Sequence, residues 1–254
     1  MINPAEKADS PPVHEAQKQD NGLILSYTAL QRLLGYLGLA LPISMILYAM
    51  MSGAGLQPSI SDFYYTPMGD VLVGTLCAIG VFLLCYRGYA PLIRQRISDR
   101  QVSFVAGIAA IGVAIFPVHR MDYPPPCTPD ACLLFGATWH PDVFHYGSAG
   151  IFFACLAMFC LILFPRGDQD EAGHILWTPR NLFYAGCGAA IVISMLAMIP
   201  YVLGNPETRD RLATYNYLFW WETLGILAFA ASWLRKGKAP QEVAKVIKIV
   251  TGTG

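Results

Sequence analysis

The sequence predicts an all-α membrane protein, a polytopic bundle of six transmembrane helices. Two features of the composition point to this fold class: hydrophobic residues make up 55% of the chain and charged residues only 13%, about half the charged share of a soluble domain. A third observation is that the apolar residues form long blocks, such as 71–85 (VLVGTLCAIGVFLLC). These blocks lack the polar face that an amphipathic helix shows at 3.6-residue spacing, so they predict burial in lipid.

Six blocks approach the roughly 20 residues that a helix needs to cross the hydrocarbon. Helix-breaking or basic residues flank these blocks, for example Gly53 after the first and Pro165 after the fourth. The predicted spans are 28–51, 66–86, 101–118, 143–164, 181–203 and 215–234.

The spans define one membrane domain over 28–237, between an N-terminal tail, 1–27, and a C-terminal tail, 238–254. The first tail is polar and proline-containing and has no apolar core, so it predicts a disordered cytoplasmic segment and not a cleavable signal peptide. The second is also predicted to be cytoplasmic.

Lys and Arg in the loops predict the orientation, because cytoplasmic loops carry an excess of them. Of the 17 Lys and Arg, only Arg120, Arg209 and Arg211 fall in loops that an inside N-terminus places outside; the other 14 lie on the cytoplasmic side. We therefore expect a multi-pass protein of a bacterial inner (plasma) membrane, with both termini in the cytoplasm.

Cysteines and small residues fit this topology. Five cysteines lie in spans, where they act as small apolar residues, whereas Cys127 and Cys132 lie in a loop predicted to be outside. An oxidising compartment allows a disulfide between these two; two free thiols are the alternative. Small residues at four-residue spacing predict close helix packing: Ala106, Ala110 and Ala114 in the third span, and Gly186, Ala190 and Ser194 in the fifth.

The candidate functional residues all fall in the outer half of the predicted bundle. Ionisable groups in or beside the hydrocarbon are costly and usually functional. In this chain the ionisable candidates are Asp62, Asp70, His119, His145 and Glu222. Two aromatic residues at the same level, Tyr65 and Trp221, complete the candidate ligand-binding set. The inner half shows no comparable set, so the sequence predicts one polar site that faces the periplasm.

Each candidate also has a structural explanation. Asp70 would complement the dipole at a helix N-terminus, Asp62 would be a turn residue, and His119 a solvated interface residue. Tyr65 and Trp221 fit an interfacial aromatic belt. Glu222 differs, because a carboxylate about two turns into a span needs a polar or cationic partner in the bundle interior.

Two chemistries fit this set. In one, His119 and His145 with Asp70 or Glu222 bind a metal ion, of which zinc is the natural choice, and activate water; Asp70, His145 and Glu222 are then the catalytic candidates. In the other, the carboxylates and histidines carry protons or hold a polar head group. The net charge is zero, so nucleic acid is not an expected partner, and the lipid bilayer is.

The block SISDFYYTPMGDVLVG (59–74) resembles a bacterial family of multi-span membrane proteins, a domain of unknown function. The likeness covers most of 28–237, and the matching residues are Ser59, Ser61, Tyr64, Tyr65, Asp70, Gly74, Phe116, Pro117, His145, Trp221, Glu222, Trp233, Lys236 and Gly237.

More distantly, the chain is similar to DRAM and Frag-like membrane proteins, some of which are linked to lipid remodelling. A weaker likeness is to ceramidase-type membrane hydrolases, which use Ser, Asp and His at a zinc site. This chain differs from those hydrolases in having six predicted spans and no H-x-x-x-H in its last span.

Three functions follow as expectations. The first is binding or sensing of a lipid head group or small molecule at the outward polar site. The second is metal-dependent hydrolysis of a lipid. The third, a small transporter, is weakened because inverted repeats and paired broken helices are not evident in the sequence.

Reporter fusions test the orientation. A reporter fused after residue 95 should give a cytoplasmic signal and one fused after residue 130 a periplasmic signal, because the loop at residue 95 carries four Arg and cytoplasmic loops are Arg-rich. An external signal at residue 95 would refute the inside N-terminus.

Overall fold

A computed structural model of the chain describes residues 13–88, 97–118, 141–168 and 174–238, with side chains from residue 27 in the first range and from residue 142 in the third. Within these ranges the protein is all-helical, with 81% helix and no strand. This confirms the all-α class. The predicted Cys127–Cys132 disulfide lies outside the described residues.

The helices follow the predicted spans closely. They are α1 (Val13–Ser52), α2 (Gly69–Cys85), α3 (Asp99–Ile115), α4 (Pro141–Met158), α5 (Pro179–Val202), α6 (Pro206–Ala213) and α7 (Tyr217–Lys236), with a short 3₁₀ helix (Ser61–Tyr65) before α2. α4 continues through a π-helical turn, Phe159–Leu163, and a 3₁₀ turn, Pro165–Gly167. Each predicted span therefore lies on a helix, and α6, which is polar and has no buried residue, is the helix that hydrophobicity could not reveal.

Local sequence explains where several helices begin. Ser98 starts α3 with a capping box, in which its hydroxyl accepts from the Gln101 N–H while the Gln101 side chain accepts from the Ser98 N–H. Thr178 and Asn205 cap α5 and α6, each followed by proline at the first helical position. These residues satisfy N–H groups that have no partner within the helix.

α1 begins earlier than expected. The sequence predicts a disordered tail over 1–27, whereas the helix starts at Val13 and runs for 40 residues. The segment HEAQKQD contains the helix formers Glu, Ala, Gln and Lys. Its polar residues suggested a disordered tail, but polar residues can extend a helix that is already formed by the apolar residues after them.

Three helices are long and apolar enough to cross a bilayer: Tyr27–Ser52 within α1, Asp142–Gly167 in α4 and its continuation, and Pro179–Val202 in α5. α2 is apolar but has only 17 residues. Large apolar side chains, including Leu47, Phe104 and Ile193, are exposed on the outer faces. These features indicate a membrane protein, and six spans remain a prediction.

The six long helices close into a ring in chain order. α1 packs on α2 and α7, α3 on α2 and α4, and α5 on α4 and α7. We call the end of the bundle where α1, α3 and α5 finish and α2, α4 and α7 begin the upper end, and the opposite end the lower end.

Two hydrophobic clusters fill the ring. The larger, toward the lower end, centres on Trp233, which is fully buried and has ring contacts with Tyr86, Phe159, Phe164 and Phe229. The smaller, toward the upper end, includes Leu41, Met45, Phe63, Leu72 and Phe219. The aromatic rings therefore make the lower half dense, and the upper half has less of this packing.

Glycines bring α2 and α3 into backbone contact. A Cβ added at Gly80 would lie 2.9 Å from the Gly107 carbonyl oxygen and 2.6 Å from Ile111 Cγ1; one added at Gly107 would lie 2.7 Å from the Gly80 carbonyl oxygen. Ala106 and Ala110 on α3 are fully buried, as their spacing predicts. Gly186 on α5 is instead exposed.

Gly80→Val should destabilise the bundle by about 1–3 kcal/mol, because the added methyl groups overpack a close backbone contact. The matched control is Gly74→Val on the same helix, where an added Cβ meets nothing within 4 Å; its effect should stay within about 0.5 kcal/mol. The free energy of unfolding in detergent micelles measures both. Equal losses for the two variants would contradict the packing.

Candidate functional site

The chain after α1 turns back into the upper end of the bundle. Gly53 and Gly55 adopt positive φ angles of 69° and 73°, which glycine tolerates without strain. The following residues 58–66, here called the inserted segment, bury Ile60, Ser61 and Phe63 among the helices. Polar backbone thus enters the bundle, and its N–H and C=O groups need partners there.

The start of α7 supplies several of these partners. The Phe219 N–H donates to the Pro58 carbonyl at 2.9 Å, and the Asn216 side-chain amide donates to the Leu56 carbonyl at 3.1 Å. The Ile60 N–H donates to Glu222 Oε2 at 2.6 Å. The first N–H groups of a helix have no partner within the helix. The inserted segment and the start of α7 therefore supply hydrogen-bond partners for each other's polar groups.

His145 on α4 joins the inserted segment to the end of α3. Its Nδ1 lies 2.6 Å from the Phe116 carbonyl oxygen and its Nε2 lies 2.9 Å from Ser61 Oγ. A carbonyl oxygen can only accept, so in the neutral ring the proton is on Nδ1 and the Ser61 hydroxyl donates to Nε2. Phe116 is the residue that ends α3, and its carbonyl would otherwise lack a helical partner.

Asp62 is held within the inserted segment itself. The Ser59 hydroxyl donates to Asp62 Oδ2 at 2.9 Å and accepts from the Asp62 N–H at the same distance. Both residues are buried, at 3% and 7% exposure. The Asp62 carboxyl is close enough to Glu222 to interact with it electrostatically, so two acidic groups share the upper end.

A cavity of about 340 Å³ lies between α4, α5 and α7 beside these groups. Its polar lining consists of His145, Tyr146 and Glu222. The apolar lining comes from all three helices: Ala149, Gly150, Phe153, Met195, Leu196, Met198, Ile199, Val202, Leu203 and Leu218. The polar residues lie within the first two turns of α4 and α7, Phe153 and Met195 lie deeper, and Leu203 and Leu218 lie nearer the helix ends, so the cavity combines one polar level with apolar walls.

The structure brings together three of the predicted site residues: Asp62, His145 and Glu222. Tyr65 lies at their edge and donates from its hydroxyl to the Val118 carbonyl at 2.5 Å. Asp70 is exposed at the start of α2, and Trp221 is partly buried with a ring contact to Tyr217. His119 lies outside the described residues.

The metal hypothesis receives no support from the geometry of His145. Both of its ring nitrogens already have protein partners, so coordination would require breaking one of these contacts. Within the described ranges no group of three or more His, Cys, Asp or Glu is arranged to hold a metal ion.

The Ser61–His145 pair has the geometry of a nucleophile and a base, but its surroundings give it a structural role. Acyl transfer needs N–H donors for the developing oxyanion. The N–H groups of the neighbouring residues are already used: Ile60 donates to Glu222, Asp62 to Ser59, and Phe63 to the Ile60 carbonyl. The pair therefore anchors the inserted segment to α4.

Sequence reasoning missed the residues that complete the site. Ser59 and Ser61 appear in the sequence analysis only as parts of a family motif, and Tyr146 is not among its candidates. The spacing S-x-S-D was the available indication, because serine and aspartate next to an apolar run commonly form hydrogen bonds to nearby backbone.

A second buried polar group lies at the lower end, where the sequence indicated none. Gln31, Tyr86 and Asp99 are buried there at 3%, 7% and 6% exposure. Tyr86 stacks on Tyr27 at 5.5 Å between ring centroids. The sequence did not single out Asp99 because it lies at the start of α3, next to a loop. It did not single out Gln31 because only ionisable side chains were candidates.

Ser61→Ala should lower the free energy of unfolding in detergent by about 1–3 kcal/mol, because it leaves the buried His145 Nε2 without its hydrogen-bond donor. Ser52→Ala is the control, since that hydroxyl is exposed at the end of α1, and its effect should stay within about 0.5 kcal/mol. If the two variants are equally stable, the Ser61–His145 contact does not anchor the inserted segment.

Comparison of the chain with protein-family models, with curated proteins and with solved structures gives no match. Function is therefore argued from the site itself, in line with the general rule that function resides in sites and not in folds.

Proposed function

We propose that this protein binds a small amphiphile, with the apolar part in the cavity between α4, α5 and α7 and the polar end beside Glu222. The observation that carries the proposal is the lining of the cavity, in which the side chains of His145, Tyr146 and Glu222 border an otherwise apolar space. Its volume of about 340 Å³ lies near the lower limit for small-molecule sites, which favours a single-chain lipid or a molecule of similar size.

The cavity is accessible from the side of the bundle. Leu196 and Leu203, which line it, are 60% and 79% exposed. In a membrane these exposed faces of α5 contact acyl chains, so a ligand could enter from the bilayer without crossing water. With the orientation predicted by the loop charges, the polar end of the site faces the periplasm.

Binding fits the geometry better than the alternatives. Hydrolysis at Ser61 would need N–H donors for the developing oxyanion, whereas the N–H groups of Ile60, Asp62 and Phe63 are already used. Transport would need a path that continues to the lower end, where the aromatic cluster around Trp233 is densely packed. The cavity instead ends at Phe153 and Met195.

Filling the cavity should abolish most binding. Gly150 lines it, and a Cβ added there meets nothing within 4 Å, so the side chain of Gly150→Leu would occupy ligand volume without a clash at its base. The measurement is cross-linking of a single-chain monoacylglycerol that carries a diazirine, in phosphatidylcholine nanodiscs, with the labelled peptides identified by mass spectrometry.

The matched control is Gly186→Leu on α5, an exposed position where an added Cβ also meets nothing within 4 Å. Wild type and this control should label α4, α5 and α7 peptides near the cavity, and Gly150→Leu should not. Labelling that is the same in all three proteins, or spread evenly over the outer faces, would refute binding in the cavity.

A further inference from the structure

The polar end of the cavity is rich in hydrogen-bond acceptors. Glu222 uses Oε2 to accept from the Ile60 N–H, but a carboxylate has two oxygens and about four lone-pair sites. Glu222 also lines a smaller cavity of about 40 Å³ beside Ser61 and Ile60, so it stands between the inserted segment and the space available to a ligand. Glu222 therefore borders the space available to a ligand and has acceptor capacity beyond its contact with Ile60.

An acidic and a phenolic group lie near this carboxyl. Tyr146 lines the cavity together with Glu222, and Asp62 is two residues from Ile60, whose N–H donates to Glu222. A ligand head placed beside Glu222 thus meets one carboxyl and one tyrosine side chain of the lining, and a tyrosine ring attracts a cation placed over its face.

No lysine or arginine lines the cavity in the part of the chain that the structure describes. Arg209, near this end, donates from Nε to the Tyr201 carbonyl at 3.1 Å and from Nη2 to the Val202 carbonyl at 2.7 Å. Its guanidinium thus covers the last carbonyls of α5, where a helix end carries partial negative charge.

We propose that the site selects single-chain amphiphiles by the charge of the head, accepting an alkylammonium and rejecting an anionic carboxylate or phosphate. This inference rests on the proposed function and names the ligand class. An ammonium offers three donors and a compensating charge to Glu222. An anionic head would lie beside the Glu222 carboxyl in a mostly apolar cavity, where repulsion between like charges is strong.

The experiment is competition against the neutral diazirine monoacylglycerol, with dodecylammonium and dodecanoate as competitors of equal chain length. Both are compared at equal mole fraction in the nanodisc bilayer, so that different partitioning from water does not enter. Wild-type protein should need about tenfold or more dodecanoate than dodecylammonium for the same loss of cross-linking, as expected for one charge-assisted contact against one repulsion.

Glu222→Gln should reduce this preference to about twofold or less; because the preference is a ratio between two competitors in the same protein, a change in labelling by the neutral probe does not alter it. The matched control is Asp210→Asn, which removes an exposed carboxylate from α6 at the same end and should leave the preference unchanged. An equal loss of preference in Asp210→Asn would mean that general surface charge, and not the site, selects the head.

The two proposals fail in different ways. If the neutral probe labels the cavity but dodecanoate competes as well as dodecylammonium in wild type, charge selection is refuted and amphiphile binding stands. This comparison needs no variant, so it decides even if Glu222→Gln does not fold. If the neutral probe never labels the cavity, the proposed function itself is refuted.

Discussion

The upper end of the bundle depends on one constraint, which is that backbone N–H and C=O groups removed from water must find partners. The inserted segment carries polar backbone among the helices, and the neighbouring helix ends have unsatisfied groups of their own. The Pro58 carbonyl accepts from Phe219 at the start of α7, and His145 binds the Phe116 carbonyl at the end of α3. Loop and helix ends therefore stabilise one another, and removing either leaves buried groups unsatisfied.

This arrangement gives Glu222 two roles. One oxygen holds the Ile60 N–H, which explains structurally why a carboxylate is tolerated within the membrane domain. The rest of the carboxyl borders the cavity, which makes the same residue available to a ligand. His145 does not share this freedom, because both ring nitrogens are bound. The histidine therefore holds the inserted segment against α4, and Glu222 both holds that segment and lines the cavity.

The lower half of the bundle is densely packed, and the upper half contains the cavity. Close aromatic packing around Trp233 fills the lower half, and interiors packed in this way lose stability when any volume is removed. The upper half contains the inserted segment and a cavity of about 340 Å³, whose lining gives up part of its packing contacts. A ligand that fills the cavity would restore those contacts, so binding and stability should be coupled.

The sequence by itself determined the six long helices, because uniformly apolar blocks with breakers at their ends leave few other structures. It also placed Asp62, His145 and Glu222 toward one end, but it did not indicate the buried group of Gln31, Tyr86 and Asp99 at the other end. Only the tertiary structure decided which way those groups face. Asp62 is buried and Asp70 is exposed, although the sequence places both in the outer half of the predicted bundle. Likewise Gly188 packs against α4 while Gly186 is exposed. A helix that is apolar on every side carries no periodicity to specify its rotation, so the packed neighbours and the return of the inserted segment settle it.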